Sequence, residues 1–280
     1  MLRPDGTRLE VWGDPVSHSR SPHLHAAAYR VLGLEWTYER RQVSEAGFAG
    51  ELAGLSPQWR GLSLTMPLKR VAFEASAWRD RRAELTGAVN TLVFLGDRPR
   101  GFNTDVGGLV RALRDAGVSE IGDARIVGAG ATATSAVVAL GELGATRIEV
   151  VARRGAAVAP LAELGAAIGV DVVGVPFDDL RHTRVPVTIA TLPGDAPVPD
   201  AAADALAADG GLLMDAVYGH WPTALANAWA RRGKPAASGL GMLLHQALLQ
   251  VRVFVTGDAD TPLPSEAVVL AEMRLAVVGD

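Results

Sequence analysis

The stretch "HSRSPHLH", His18 to His25, sets three histidines and two serines close together, and three chemistries could use it. As a metal site it is irregular: only His23 and His25 are near neighbours, and at a helix start residues two apart face different ways. As a nucleophile site it lacks the G-x-S-x-G elbow that would expose Ser19 or Ser21. The third chemistry is recognition. Two hydroxyls beside a helix N-terminus, where free N–H groups favour an anion, suit a carboxylate or a hydroxyl-rich ligand. The plain structural alternative is capping, with Ser21 as N-cap and Pro22 behind it.

Other polar islands have the same character. "SLTMPLK" offers Ser63, Thr65 and Lys69, "GAVNTL" offers Asn90, and "GFNTDVGGL" offers Asn103 and Asp105. Each lies at the end of an apolar run that reads as a strand, which is where ligands bind in open α/β sheets. Taken locally, Lys69 is equally a solvated charge in the first turn of a helix after Pro67, although the helix dipole disfavours a cation there. Asp105 is equally an N-cap or first-turn acid.

The segment "ARIVGAGATATSAVVALGELGATRIEVVARR" carries a different signal. Gly128, Gly130 and Ala133 fit G-x-G-x-x-G/A between a predicted strand and a predicted helix. Glycine makes the turn, a second glycine lets the backbone approach a pyrophosphate, and a small third residue lets helix pack on strand. An NAD site places an acid roughly 20 residues further on for the ribose. Here Glu149 lies inside the strand, and Arg153 and Arg154 stand at its end. Cationic donors suit a 2′-phosphate, so NADP is favoured over NAD; as merely solvated arginines they would carry no preference.

These residues need elements to hold them. "RLEVWG", "WTYERRQV" and "GLSLTMP" read as strands, with helices over Leu24 to Leu32, from Glu45, and from Pro67 toward Trp78. After the glycine turn, "DVVGVPF", "VPVTIAT" and "GLLMDAV" read as further strands. Helices around Leu240 to Val255 and Ser265 to Val277 close the chain. Alternating strands and helices predict an α/β fold.

Composition narrows the function. A chain of 280 residues, 49% hydrophobic with 31 glycines, can bury a large core and make one large or two modest domains. A net charge of −4 without a Lys/Arg tract sets aside nucleic acid and anionic membranes as partners. No cysteine is present, so disulfides and thiolate ligands are excluded, and a cytoplasmic location is expected.

Seven segments in order, "GDPVSHSRSPHLH", "SLTMPLK", "GAVNTL", "NTDVGGL", "GAGATA", "DAVYGHWPT" and "GLGMLLHQA", resemble the shikimate dehydrogenase family. The resemblance implies two α/β domains. An N-terminal substrate-binding domain would span 1–104, completed by 240–280 as the C-terminal helices return to it. A Rossmann-type, doubly wound NADP-binding domain would span 105–239.

By the same resemblance, Lys69 and Asp105 are the catalytic pair. Ser19 and Ser21 take the substrate carboxylate, and Thr65, Asn90 and Asp105 its ring hydroxyls. Ser63, Tyr218 and Gln246 also fall at substrate-side positions. Gly128, Ala129, Gly130, Ala131, Thr191 and Arg153 or Arg154 take the cofactor, while Gly239, Gly241 and Met242 approach its nicotinamide. The implied reaction is the reversible NADPH-dependent reduction of 3-dehydroshikimate to shikimate. No metal is implied, and the protein would be a monomer or homodimer. The chain departs from the family pattern at Ser63, usually Asn, at Ala152 to Arg154, usually Asn-Arg-Thr, at Ile189 to Leu192, usually Asn-Ala-Thr-Ser, and at His220, often proline. The Ser63 change keeps a quinate or aminated-analogue dehydrogenase as an alternative, and a silent NADP-binding sensor is the alternative outside enzymes.

Overall fold

Short β-branched and aromatic runs alternate with apolar-striped helices, and in the computed structural model they build two α/β units. The described residues are 6–96, 98–179 and 181–278. One unit comprises Met1–Gly108 and Leu244–Asp280; the other is Leu109–Leu243.

In the first unit β1 (Arg8–Gly13), β2 (Thr37–Gln42), β3 (Trp59–Leu64), β4 (Trp78–Arg79), β5 (Thr91–Val93) and β6 (Arg100–Phe102) form a sheet ordered β2-β1-β3-β5-β6-β4. β1 runs parallel to β2 and β3, whereas β5 is antiparallel to both β3 and β6. The carboxyl ends of β1, β3 and β6 and the amino end of β5 therefore share one edge of the sheet. Hydrogen bonds from Leu64 N to Asn90 O and from Asn90 N to Phe102 O, 2.7 and 3.0 Å, knit that edge. Trp12, Trp59, Leu62 and Leu92 fill the core with Phe48 from α2 (Phe48–Ala53) and Ala72 from α3 (Lys69–Ala75).

Two sequence expectations shift locally. Ser21 is the first residue of α1 (Ser21–Leu32), not its N-cap; Arg20 holds the cap position without a side-chain bond, and Ser19 Oγ instead accepts the Ser21 N–H at 3.3 Å. The helix after Pro67 stops at Ala75 because Trp78 and Arg79 pair with β6 as a strand. Between β4 and β5, α4 (Arg81–Thr86) is capped by Asp80, whose carboxylate accepts the Ala83 N–H at 2.8 Å.

The chain leaves this unit along α5 (Thr104–Asp115) and returns along α10 (Leu240–Thr256). The unit boundaries thus fall inside continuous helices, about one turn beyond the expected positions at 104/105 and 239/240. Arg252 on α10 then grips Glu266 on α11 (Glu266–Val278) through two guanidinium–carboxylate bonds of 2.6 and 2.5 Å.

In the second unit β7 (Asp123–Val127), β8 (Arg147–Ala152), β9 (Asp171–Pro176), β10 (Val185–Ala190), β11 (Gly210–Asp215) and β12 (Ala236–Ala237) are all parallel. The spatial order β9-β8-β7-β10-β11-β12 is that of a doubly wound dinucleotide-binding sheet, with the switch point between β7 and β10. Such strands are buried on both faces, and β7, β8 and β10 are almost wholly buried. The interleaved helices are α6 (Ala131–Glu142), α7 (Ala159–Ala167), α8 (Asp200–Asp209) and α9 (Ala224–Arg231).

Candidate active site

The shared edge of the first unit's sheet gathers most of the expected substrate-side residues. Thr65 follows β3, Asn90 precedes β5, and Asn103 to Asp105 follow β6 into α5. Lys69 opens α3, anchored by a bond from Val89 N to Lys69 O of 2.9 Å. Its ammonium donates to Asp105 Oδ2 at 2.7 Å, with side-chain exposures of 24% and 9% for lysine and aspartate. That residual exposure leaves Lys69 reachable.

Asn103 rather than Asp105 caps α5: its Oδ1 accepts the N–H groups of Asp105 and Val106 at 3.0 and 3.3 Å. Asp105 is thereby released from capping and takes Lys69 on one oxygen and Asn90 Nδ2 on the other, the latter at 2.9 Å. Asn90 Oδ1 accepts Thr104 N at 2.9 Å, which fixes the amide with its nitrogen toward Asp105. Ser19 is partly exposed and Ser21 buried at the start of α1. Gln246 is buried on α10.

The three clustered histidines separate. His18 and His23 are exposed, while His25 is fully buried between Tyr29 and Gln250. Burial pushes His25 down to about 3 against the opposing Gln250 bond, so its ring is neutral. Ser63 is also buried, and its hydroxyl donates to Gln250 Oε1 at 2.9 Å, leaving only lone pairs for any further partner. Sequence reasoning did not find Gln250, Thr91 or Tyr38. Tyr38 stacks on His25 with ring centroids 3.9 Å apart, and its buried hydroxyl lies beside those of Ser63 and Ser21 without a well-aligned hydrogen bond. Burial raises its pKa well above the ordinary tyrosine range, tempered by the neighbouring hydroxyls of Ser63 and Ser21.

In the second unit the loops leave the sheet at its carboxyl edge. Gly128 follows β7 with φ +110, and a Cβ there would sit 2.6 Å from Thr191 Oγ1, so only glycine fits where the two loops meet at the switch point. A Cβ on Gly130 would meet nothing within 4 Å, so the turn into α6 stands open for a ligand's close approach. Arg153 and Arg154 are exposed at the end of β8. Glu149, the acid of this strand, is spent inside the sheet: it binds Arg125 at 2.7 Å, His182 at 3.2 Å and Thr183 N at 3.2 Å. The turn, the absent acid and the exposed cations fit a dinucleotide bearing a 2′-phosphate.

Gly239 packs its Cα against Ala216 O, where a Cβ would come within 2.2 Å, and it starts the turn into α10 near partly exposed Met242. Tyr218, expected among the substrate-side residues, belongs to this second unit, as do Gly239 and Met242. Among the described residues no group of three or more His, Asp or Glu side chains is placed to hold a metal, and no helix is long and apolar enough to cross a membrane.

A parallel doubly wound sheet with a glycine turn at its switch point in one unit, and a lysine–aspartate pair at the sheet edge of the other, define a two-unit dinucleotide-dependent dehydrogenase. Residues 11–92 match the family model described as the shikimate dehydrogenase substrate binding domain. The chain is 33% identical to the shikimate dehydrogenase (NADP(+)) of Thermus thermophilus, covering 88% of this chain and 92% of that one. The crystal structure of Mycobacterium tuberculosis shikimate dehydrogenase superposes with a TM-score of 0.84 at 41% identity, covering 95% and 98% of the two chains. The Thermus thermophilus enzyme in complex with NADP(H) and shikimate gives 0.80 at 31% identity, covering 96% and 99%. The chain belongs to the shikimate dehydrogenase family.

Proposed function

We propose that this chain catalyses the reversible, NADPH-dependent reduction of 3-dehydroshikimate to shikimate, a step of aromatic amino-acid biosynthesis. The observation that carries the reading is the half-buried Lys69–Asp105 pair, 2.7 Å apart at the sheet edge. It is supported by family membership and by relatives whose names specify NADP(+).

When bound, NADPH supplies a hydride to the ketone carbon. As the carbonyl π bond breaks, its electron pair passes to oxygen, and the Lys69 ammonium stabilises that charge and delivers the proton. Asp105 holds Nζ in place through Oδ2 and, with Asn90 and Thr65, meets the adjacent ring hydroxyls. Ser19 and Ser21 hold the carboxylate at the start of α1, where free N–H groups add to the attraction. Ser63, Gln246 and Tyr218 complete the substrate contacts. Gly128 to Ala131 approach the diphosphate, Arg153 and Arg154 take the 2′-phosphate, and Thr191, Gly239 and Met242 line the rest of the cofactor site.

We place the first unit, with α10 and α11, as the substrate domain and the second as the cofactor domain, in a cytoplasmic enzyme that is monomeric or homodimeric. The absence of cysteine suits a reducing compartment. The test is an absorbance assay of the purified protein with shikimate and with quinate, each with NADP and with NAD. Rapid reduction of NADP with shikimate alone supports the full reading. Preference for quinate or NAD overturns the substrate or cofactor assignment, and inactivity with every pair overturns the enzyme assignment.

A further inference from the structure

Gln250, on a helix with buried residues all along its middle, is tied to residues far away in sequence. Its Nε2 donates to the backbone oxygen of Asn90 and to Thr91 Oγ1, both at 3.2 Å. A backbone oxygen only accepts, so this bond fixes the Gln250 amide: Nε2 faces β5 and Oε1 faces Ser63 and His25. His25 Nε2, 3.3 Å from Oε1, must then carry the proton, and its Nδ1 accepts from Tyr29 O–H at 3.0 Å. Because Thr91 Oγ1 accepts from Gln250, its own proton goes to Asn90 Oδ1 at 2.9 Å. Asn90 Nδ2 in turn donates to Asp105. From Tyr29 through His25, Gln250, Thr91 and Asn90 to Asp105, every donor points the same way.

We propose that Gln250 and Thr91 are positioning residues for the reaction: this one-directional chain of hydrogen bonds polarises the Asn90 amide and aims its N–H at Asp105, which holds Lys69 in register. The proposal rests on the reading of Lys69 and Asp105 as the catalytic pair. Aligned hydrogen bonds strengthen one another in a buried site, and each added donor on Asn90 Oδ1 makes its Nδ2–H a better donor. Tyr29, His25, Gln250 and Thr91 are at most 2% exposed, so they act through Asn90 and not by touching a ligand.

The test replaces the middle link while keeping its shape. Thr91→Val preserves the β-branched side chain and removes the hydroxyl, whereas Thr91→Ser keeps the hydroxyl. For shikimate oxidation, Thr91→Val is expected to lower kcat about tenfold and to change the KM for shikimate less than about twofold. Thr91→Ser should stay within about twofold of the parent in both, and thermal unfolding should show both variants folded. If Thr91→Val does not fold, Gln250→Met carries the same expectation. A Thr91→Val enzyme with parental kcat, a Thr91→Ser enzyme as slow as the valine variant, or a loss confined to KM each overturns the proposal. Lys69→Ala is assayed beside them: turnover retained there overturns the catalytic pair itself, while loss there with a parental Thr91→Val enzyme overturns the positioning chain alone.

Discussion

The Asp80 carboxylate accepts the backbone N–H of Asn103 at 3.1 Å, and so pins the residue that caps the helix bearing Asp105. The same oxygen accepts the Ala83 N–H, so one partly buried acid secures α4 and the entry to α5.

Burial raises the Asp80 pKa from 3.8 to about 6 even though both N–H bonds oppose the shift. A folded pKa above the unfolded one means that folding favours the protonated acid. Its stabilising contribution is complete below 3.8 and is lost as pH rises through about 6. Asp80→Asn keeps an acceptor for both N–H groups and removes the titration. Urea unfolding between pH 4 and pH 8 should show the variant gaining on the parent as pH rises, by about 1–3 kcal/mol at neutral pH. A stability difference that does not vary with pH would rule this out.

Lys69→Ala should lower turnover by about 10²–10⁴-fold in a protein that remains folded by thermal unfolding, because the side chain is partly exposed and Asp105 keeps its bond from Asn90. Parental turnover in the Lys69→Ala enzyme would count against Lys69 as the proton carrier.

Arg153 and Arg154 bear on cofactor choice. Replacing both with alanine should cut kcat/KM for NADP by about ten- to a hundredfold and leave that for NAD nearly unchanged. Equal losses with the two cofactors would show that the arginines do not discriminate between them.

Arg252→Leu should destabilise the protein by about 3–5 kcal/mol. It takes the guanidinium away from the partly buried Glu266 carboxylate and removes the bonds to the carbonyls of Ala259 and Asp260 at 3.0 and 3.2 Å. Chemical denaturation measures this directly, and a loss under about 1 kcal/mol would mark the pair as an ordinary surface salt bridge.

Tyr38→Phe deletes a buried hydroxyl that has no well-aligned hydrogen bond. Stability should hold or rise by up to about 1 kcal/mol in the same denaturation experiment. A clear loss would mean that the hydroxyl has a partner in solution.

The parts of this molecule legible in its sequence are those written locally. The run from β7 through Gly128 to α6 and β8 shows strand, turn and helix in succession, and Glu149 is buried within its strand as expected. The polar islands at Thr65, Asn90 and Asp105 mark the sheet edge because each interrupts an apolar run. His25 and Gln250 were not legible as partners because 225 positions separate them, and only the return of α10 brings them together. One signal was present: "LLHQALLQVRVFV" is too apolar for a surface helix, so its glutamines and arginine had to find partners inside. Ser21 misled because Ser-Pro suits an N-cap and first turn, but here the helix starts one residue earlier than that pattern implies.

That return of α10 has a temporal meaning. The second unit is one uninterrupted stretch nested within the first, so during synthesis it can fold while its host is still missing a piece. Until residues beyond 244 emerge from the ribosome, Phe254 cannot fill the space over Gly61, Val253 cannot join Val93 and Phe102, and Ser63 lacks its glutamine. β1 therefore belongs to a core that closes only after the second unit's residues have been made, and Asn90 and Thr91, through which bonds run to Asp105, wait for Gln250 until then.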